Sequence, residues 1–210
     1  MNIKISPNYS SEYWFNLKLK KNDSAEWEKA ILVFRDRIEG RYFKPLKALE
    51  NHKVKEIRIN SGFIIMPIIC LLIETLEQFW NGNITTNKNL KKNNNDNIPN
   101  DSLAFHKFFN RSQKLSSFFD SEIKSNIFYS NIRCGLLHQG QTKGKSLIHI
   151  KNNTEMLSWI NKDEGISIQR KLFLKEIEKM YEEYIEYLKK SDLNYKSKFK
   201  RKMDYIANQK

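Results

Sequence analysis

Residues 62–80, GFIIMPIICLLIETLEQFW, form the longest apolar stretch of the chain and decide its fold. Because the run is apolar around most of its circumference, it predicts a central helix that is buried on most sides. Pro67 interrupts the run, so either it occupies the first turn or the helix kinks there. Residues 63–73 alone are too short to span a bilayer, and Glu74 closes them. We therefore expect a soluble protein with no membrane partner.

Other segments carry helix signals and are predicted to pack around this central helix. Asp23 is placed to cap a helix that runs toward Arg41, with Glu26 completing a capping box. Pro45 marks the start of a further helical turn. The remaining predicted helices are one capped by Asp101–Ser102, one from Ser116 or Asp120 to a stop at Gly140, and residues 168–188.

A single short strand is predicted outside the helices. Residues 146–151 alternate between polar and apolar side chains after the glycine at position 144. Residues 1–22 give no firm prediction beyond an arm or a short strand. The fold class is therefore mainly all-α, a helical bundle with a short β element. With 210 residues, 40% of them hydrophobic, the chain suits a single domain over residues 1–210.

Two polar segments lie outside the predicted core. Residues 81–100 are rich in Asn and Lys and cannot bury much apolar area, which predicts a mobile loop. That loop is either a passive insertion or a nucleic-acid-binding element. Residues 189–210 form a basic tail around Tyr195 and Phe199. Such a tail can bind RNA by stacking and charge, and a solvated terminal helix is the alternative.

The amino-acid composition indicates which classes of partner and which cellular compartment to expect. A net charge of +13 favours RNA, DNA or an acidic protein as partner, although an AT-rich genome also enriches Lys and Asn. The two cysteines lie in apolar helical runs, which indicates a reducing compartment and a cytoplasmic protein without disulfides. The two cysteines and four scattered histidines lack zinc spacing, so we expect neither a metal site nor a cofactor.

The residues best suited to ligand binding or catalysis lie in the segment 128–139, FYSNIRCGLLHQ, near the predicted end of an apolar helix. The guanidinium of Arg133 suits a phosphate, and the imidazole of His138 can take or give a proton near neutral pH. On an ideal helix the two are ~7.5 Å apart along the axis and ~140° apart around it. One helix therefore does not bring them together. Either the helix ends or loosens near His138, or a second copy completes the site.

Residues 128–142 resemble the signature of the HEPN superfamily, an arginine followed after a few residues by a histidine near a helix end. A second block, RYFKP at 41–45 with residues 62–79, is similar to the upstream helices of uncharacterised bacterial members. The resemblance implies a HEPN-like helical bundle with Arg133 and His138 as catalytic residues. It also implies a metal-independent ribonuclease of toxin–antitoxin, CRISPR-linked or abortive-infection type.

Metal-independent RNA cleavage needs a base, an acid and positive charge at the phosphate. Because one histidine cannot be acid and base at once, a second copy or a water molecule must take one role. The resemblance implies the first solution, a homodimer with both motifs in one cleft. We expect a toxin or phage-defence endoribonuclease, with an antitoxin or a nucleotidyltransferase as partner. Cys134 replaces a residue that is often polar in the active nucleases, so the alternative is a non-catalytic HEPN module binding RNA or a partner protein.

Further polar residues are predicted to support the pair. Glu74 either orients the guanidinium of Arg133 from a neighbouring helix or merely marks the end of the apolar run. The residues beside the motif could contact a phosphate or a base, or be structural or solvated: Asn131, Gln139, Gln141 and Lys143.

Overall fold

The protein is mainly helical with a small three-stranded sheet, as the sequence predicts. The structure, a computed structural model, describes residues 3–20, 23–84, 100–160, 164–190 and 193–209. Residues 85–99, most of the predicted mobile loop, lie outside the described residues, as does part of the segment joining the last two helices.

Two π-helical turns, Glu39–Phe43 and Tyr129–Cys134, interrupt otherwise continuous helical segments. The helices are α1 (Ser11–Asn16), α2 (Ser24–Ile38), α3 (Lys44–Glu50), α4 (Lys55–Asn60), α5 (Gly62–Asn81), α6 (Asn100–Phe109), α7 (Gln113–Phe118), α8 (Glu122–Phe128), α9 (Gly135–Gln139), α10 (Arg170–Lys189) and α11 (Leu193–Ala207). The strands are β1 (Leu147–His149), β2 (Leu157–Ile160) and β3 (Gly165–Gln169).

The predicted central helix is α5, which contacts α6, α9, α10, α11 and the second π turn. Pro67 lies inside α5 rather than in its first turn. The helix continues past Glu74 to Asn81, so by length and composition it could cross a membrane. However, 56% of its most apolar window is buried inside the protein, which fits the core helix of a soluble protein.

Helix α2 begins as predicted but without the predicted capping box. The side chain of Asp23 accepts a hydrogen bond from the backbone N–H of Glu26 at 3.1 Å. The carboxylate of Glu26 instead accepts from the backbone of Lys18 at 2.8 Å and from Lys29 at 2.6 Å. Glu26 thus links the segment before α2 to the helix, and its carboxylate does not bond the backbone of Asp23. The predicted capping box was therefore wrong.

The predicted long helix into the motif is divided into several pieces. Helices α7 and α8 are separate, and Ser121 caps α8 by accepting from the backbone of Lys124 at 3.3 Å. The π turn then joins α8 to α9, which ends at Gly140 with a φ of 63°, the predicted stop. Stacking of Phe109 on Phe119, with centroids 4.0 Å apart, packs this region together. The π turn and α9 lie against α5, which confirms the predicted packing of the two apolar segments.

The sheet has the order β1–β3–β2, with β1 parallel and β2 antiparallel to β3. The sequence predicts only β1, and it assigns Ile168 to a helix although that residue lies in β3. Ile166 and Ile168, two residues apart in β3, both have side chains that are fully buried in the core. A Cβ on Gly165 would lie 2.2 Å from the carbonyl oxygen of Gly144, so glycine is required where β3 meets the loop that follows α9.

Helices α10 and α11 close the core, and the basic tail is part of it. The predicted stripe of α10 is buried, comprising Phe173, Ile177, Met180, Tyr184 and Leu188. In α11, Phe199 and Met203 are fully buried, and the lysines at 196 and 202 are each 6% exposed. Lys202 donates to Gln78 Oε1 at 2.5 Å and to the carbonyl of Ile84 at 2.6 Å. The tail is therefore neither a free arm nor a fully solvated helix.

A buried arginine joins three separate parts of the chain. Arg170, 1% exposed, donates through Nε to Glu50 at 2.7 Å. Its Nη1 donates to the carbonyl of Ile59 at 3.1 Å, and its Nη2 donates to Ser61 Oγ at 3.2 Å and to the carbonyl of Arg58. The start of α10 is thereby fixed to the end of α3 and to the junction of α4 and α5.

The N-terminal segment contains a helix that the sequence did not predict. Ser10 caps α1 by accepting from the backbone of Tyr13, and an isolated bridge joins Lys4 to Ser10. Trp14 is buried and donates through Nε1 to Asp204 of α11 at 2.8 Å. The segment thus packs against the C-terminal helix.

Candidate functional site

Arg133 lies in the π turn between α8 and α9. A π turn adds a residue to the helical repeat, and such turns occur frequently at functional sites. The turn packs on α5, so the side chain of Arg133 is 22% exposed and faces Glu74 of that helix. The local helix geometry therefore places one cation beside the central helix.

Glu74 orients Arg133, as one of the two sequence interpretations holds. Arg133 Nε donates to Glu74 Oε1 at 3.1 Å, and the carboxylate is 15% exposed. Burial raises the pKa of Glu74, and the charge of Arg133 opposes this only in part. Burial alone lowers the pKa of Arg133, but the charge and hydrogen bond of Glu74 outweigh it and raise that pKa. The guanidinium is thus held in its charged form.

Among the described residues, hydrogen bonds to the guanidinium occupy its Nε edge alone. Within the described part of the chain, the two terminal nitrogens of Arg133 form no hydrogen bond to protein. A guanidinium has five donors, and its paired terminal N–H groups match two oxygens of a phosphate. Arg133 is therefore anchored on one side while its phosphate-binding edge is left unoccupied by protein.

Two residues that the sequence did not single out complete this cluster. The guanidinium carbon of Arg133 lies 5.4 Å from the ring centroid of Tyr129, one helical turn earlier. The hydroxyl of Tyr129 donates to Asp101 Oδ2 at 3.3 Å. Burial, and then a hydrogen bond with Cys134, raises the pKa of Tyr129, so the hydroxyl remains a donor. The spacing of Tyr129 from Arg133 was visible in the sequence, whereas the sequence assigned Asp101 only to capping α6, in whose first turn it lies.

His138 lies on the other side of the motif, near the end of α9. Its side chain is exposed, and within the described residues it has neither a hydrogen bond nor an ion pair. Among the described residues, neither a hydrogen bond nor an ion pair joins it to Arg133. The helix does end soon after His138, but the loosened π turn, Tyr129–Cys134, contains Arg133 and does not extend to His138. The cooperation of Arg133 and His138 therefore stays a prediction.

The other predicted site residues have different surroundings. Asn131 donates through Nδ2 to the backbone carbonyl of Glu164 at 2.8 Å. The backbone carbonyl of Asn131 accepts a hydrogen bond from the backbone N–H of Lys143 at 2.9 Å. Asn131 thus ties the loop after α9 to the start of β3. The side chain of Lys143 is half-buried, and those of Gln139 and Gln141 are exposed.

The cysteines lie beside the cluster. Cys70 is fully buried in α5, and burial raises the pKa of its thiol. Cys134 is half-buried and forms a hydrogen bond with Tyr129. Neither is in a disulfide. Across the described residues, no three His, Cys, Asp or Glu side chains come together in a way that could hold a metal ion.

The site thus combines an anchored guanidinium, whose terminal nitrogens have no hydrogen bond to the described residues, and an exposed imidazole on the next helical segment. Comparison with models of protein families, with curated proteins and with solved structures finds no match to this chain.

Proposed function

We propose that this chain is a HEPN-type, metal-independent endoribonuclease of toxin or phage-defence type that acts as a homodimer. The observation that carries the proposal is the state of Arg133. Its Nε is bonded to Glu74, and its terminal nitrogens are unoccupied in the described part of the protein. The net charge of +13 supports an RNA substrate.

The proposed reaction requires no metal or cofactor. The ribose 2′-oxygen attacks phosphorus and loses its proton to one His138, while the P–O5′ bond breaks. The leaving 5′-oxygen receives a proton from the His138 of a second copy, which gives a 2′,3′-cyclic phosphate and a 5′-hydroxyl. Arg133 holds the phosphate and stabilises the negative charge that develops on its oxygens. Glu74 and Tyr129 position that guanidinium.

An exposed apolar face beside the site supports the proposed dimer. Ile64 and Leu71 lie two turns apart on α5, 59% and 46% exposed, on the side of the helix that carries Glu74. Leu137, next to His138, is 51% exposed. Burying such side chains against a second copy is favourable by about 25 cal/mol per Å² of apolar area. A two-fold contact on this face would bring both motifs toward one cleft.

The second candidate is a non-catalytic HEPN module that binds RNA or a partner protein. Cys134 favours it, because a half-buried thiol stands where the resemblance leads us to expect a polar side chain. The absence of a hydrogen bond or ion pair between Arg133 and His138 within the described part of one chain is compatible with both candidates. On either proposal the protein is cytoplasmic; an antitoxin or a nucleotidyltransferase is the proposed partner of the nuclease.

The deciding experiment is RNA cleavage in EDTA by the parent protein and by His138→Ala, with analysis of the product ends. We expect 2′,3′-cyclic phosphate ends from the parent and a ~10²–10⁴-fold slower reaction from the variant. Arg133→Lys should also fail substantially, because an ammonium cannot reproduce the planar two-pronged contact with a phosphate.

His149→Ala is the matched control, because it removes a half-buried histidine in β1 that is not part of the site. It should cleave like the parent. Equal cleavage by His138→Ala and the parent would refute the nuclease proposal. If the parent and His138→Ala bind RNA equally and neither cuts it, the non-catalytic module is the better proposal.

A further inference from the structure

Three aromatic rings meet where the end of α5 contacts α10 and α11. The ring centroid of Trp80 lies 5.2 Å from that of Tyr187 and 5.4 Å from that of Tyr195, and the two tyrosines are 5.1 Å apart. Trp80 is 6% exposed and forms the inner wall, whereas Tyr187 is 40% exposed. Tyr195 is half-buried. We call this group, with the two lysines described below, the aromatic cluster.

Contacts on the buried side of the cluster hold Trp80 in place. Gly82 has a φ of 68°, and a Cβ there would lie 2.9 Å from the Cα of Lys198, so the end of α5 packs closely on α11. The guanidinium of Arg111 lies 4.8 Å from the ring centroid of Trp80, and Arg111 is bonded to Glu77 at 2.9 Å. The inner wall is therefore fixed before any ligand arrives.

Two lysines add unpaired positive charge to the rings. Lys190 Nζ lies 5.7 Å from the ring centroid of Tyr187, and Lys198 Nζ lies 5.8 Å from that of Tyr195. Neither lysine forms an ion pair within the described residues. Among the described residues of α5 and α10, Glu77, Glu183 and Glu186 form ion pairs with Arg111, Lys179 and Lys189.

We infer that the aromatic cluster, comprising Trp80, Tyr187, Lys190, Tyr195 and Lys198, binds single-stranded RNA. Bases stack on the exposed tyrosine, and the two lysines contact phosphates, which is how proteins hold single strands without reading sequence. A duplex fits less well, because its bases are already stacked and paired. That the nucleic acid is RNA rests on the proposed function, whereas the preference for a single strand rests on the cluster alone.

The test measures the binding of a short labelled single-stranded RNA to the His138→Ala protein by fluorescence anisotropy. Adding Tyr187→Leu should weaken binding by about 5- to 150-fold, the range measured for loss of one stacked base. Tyr187→Phe keeps the ring and should bind like the parent. Thermal unfolding of each variant checks that the Trp80 wall is intact.

Two neighbouring lysines give a matched comparison. Lys190→Gln should weaken binding and reduce the slope of log affinity against log salt by ~1. Lys189→Gln should change little, because Lys189 Nζ is already bonded to Glu186 at 2.7 Å. Equal effects of the two substitutions, unchanged binding by a folded Tyr187→Leu protein, or an equal loss for duplex RNA would each overturn the inference.

The outcomes separate this inference from the proposed function. If no RNA is cut yet Tyr187→Leu weakens single-strand binding, the cluster stands and the nuclease proposal fails. If RNA is cut in a His138-dependent way while Tyr187→Leu binds and cuts like the parent, the cluster is refuted and the nuclease stands.

Discussion

Two of the arginine–carboxylate pairs in the described residues, Arg170–Glu50 and Arg133–Glu74, have different surroundings, which predict different consequences of removal. In the Arg170–Glu50 pair the side chains are 2% and 4% exposed, and every nitrogen of the guanidinium has an acceptor. In the Arg133–Glu74 pair they are 22% and 15% exposed, and only Nε is engaged among the described contacts. We interpret the first pair as structural and the second as functional.

Replacing each arginine by methionine tests this distinction, because methionine retains much of the aliphatic stem. Arg170→Met leaves the carboxylate of Glu50 buried without its partner, which destabilises by about 3–5 kcal/mol. Arg133→Met leaves Glu74 less deeply buried, for which we expect about 1–3 kcal/mol. Since a domain is stable by only about 5–15 kcal/mol, Arg170→Met should bring it close to unfolding. Arg133→Met should remain folded and lose RNA cleavage.

Urea denaturation measures both changes in the free energy of unfolding, provided that each variant keeps the parent's slope of free energy against urea concentration. At about 2–4 °C per kcal/mol for a chain of this size, the melting temperature should fall by about 6–20 °C for Arg170→Met. The double variant Glu50→Met, Arg170→Met removes the orphaned charge and should regain stability. It should recover only in part, because the carbonyls of Arg58 and Ile59 also lose their donor. If Arg133→Met is as destabilising as Arg170→Met, Arg133 is a structural clamp and the reasoning fails.

Three further outcomes are expected. Leu71→Glu should convert a dimer into monomers in sedimentation velocity and abolish cleavage, whereas a cleaving monomer would contradict the dimer proposal. Because each chain carries a charge of +13, added salt should strengthen the dimer while weakening RNA binding. Burial, and then the charge of Arg37, lowers the pKa of Lys202 to about 8 from 10.5. The unfolded chain then binds more protons between these values, so stability should rise with pH across that window, and Lys202→Met should remove this rise in urea titrations.

The parts of the fold that were predictable are those with long, consistent patterns. The apolar density of α5 and the stripe of α10 each span several turns, so tertiary contacts reinforced what the sequence indicated. The missed elements are short. A six-residue helix such as α1 is marginal by itself and depends on contacts such as that of Trp14 with Asp204. The apolar run LSWI of β2 cannot be assigned to strand or helix by periodicity alone.

Residues of the candidate site were predictable where a side chain of suitable chemistry stands at a recognisable spacing in the sequence. Arg133 and Glu74 are charged residues within two strongly apolar helical segments, and they pair across the interface that these segments form. Tyr129 could have been inferred, since it precedes Arg133 by one turn. Asp101 could not, because it reaches Tyr129 only through the packing of α6. The π turn was equally hidden, since its cost is offset by contacts with α5 that no local pattern encodes.

The two halves of the proposed site differ in how firmly they are held, and this difference has a functional consequence. Arg133 is fixed by Glu74 and Tyr129, so its orientation is set within one chain. His138 is exposed and, among the described residues, has no hydrogen bond or ion pair, so no described contact within one chain fixes its imidazole against a phosphate. General acid–base catalysis needs the imidazole within hydrogen-bond reach of the reacting oxygen. A second copy docked on the apolar face would supply that restraint together with the second histidine. Activity of the proposed nuclease would therefore depend on protein concentration, and a partner that covers Leu71 and Leu137 would inhibit it without touching Arg133.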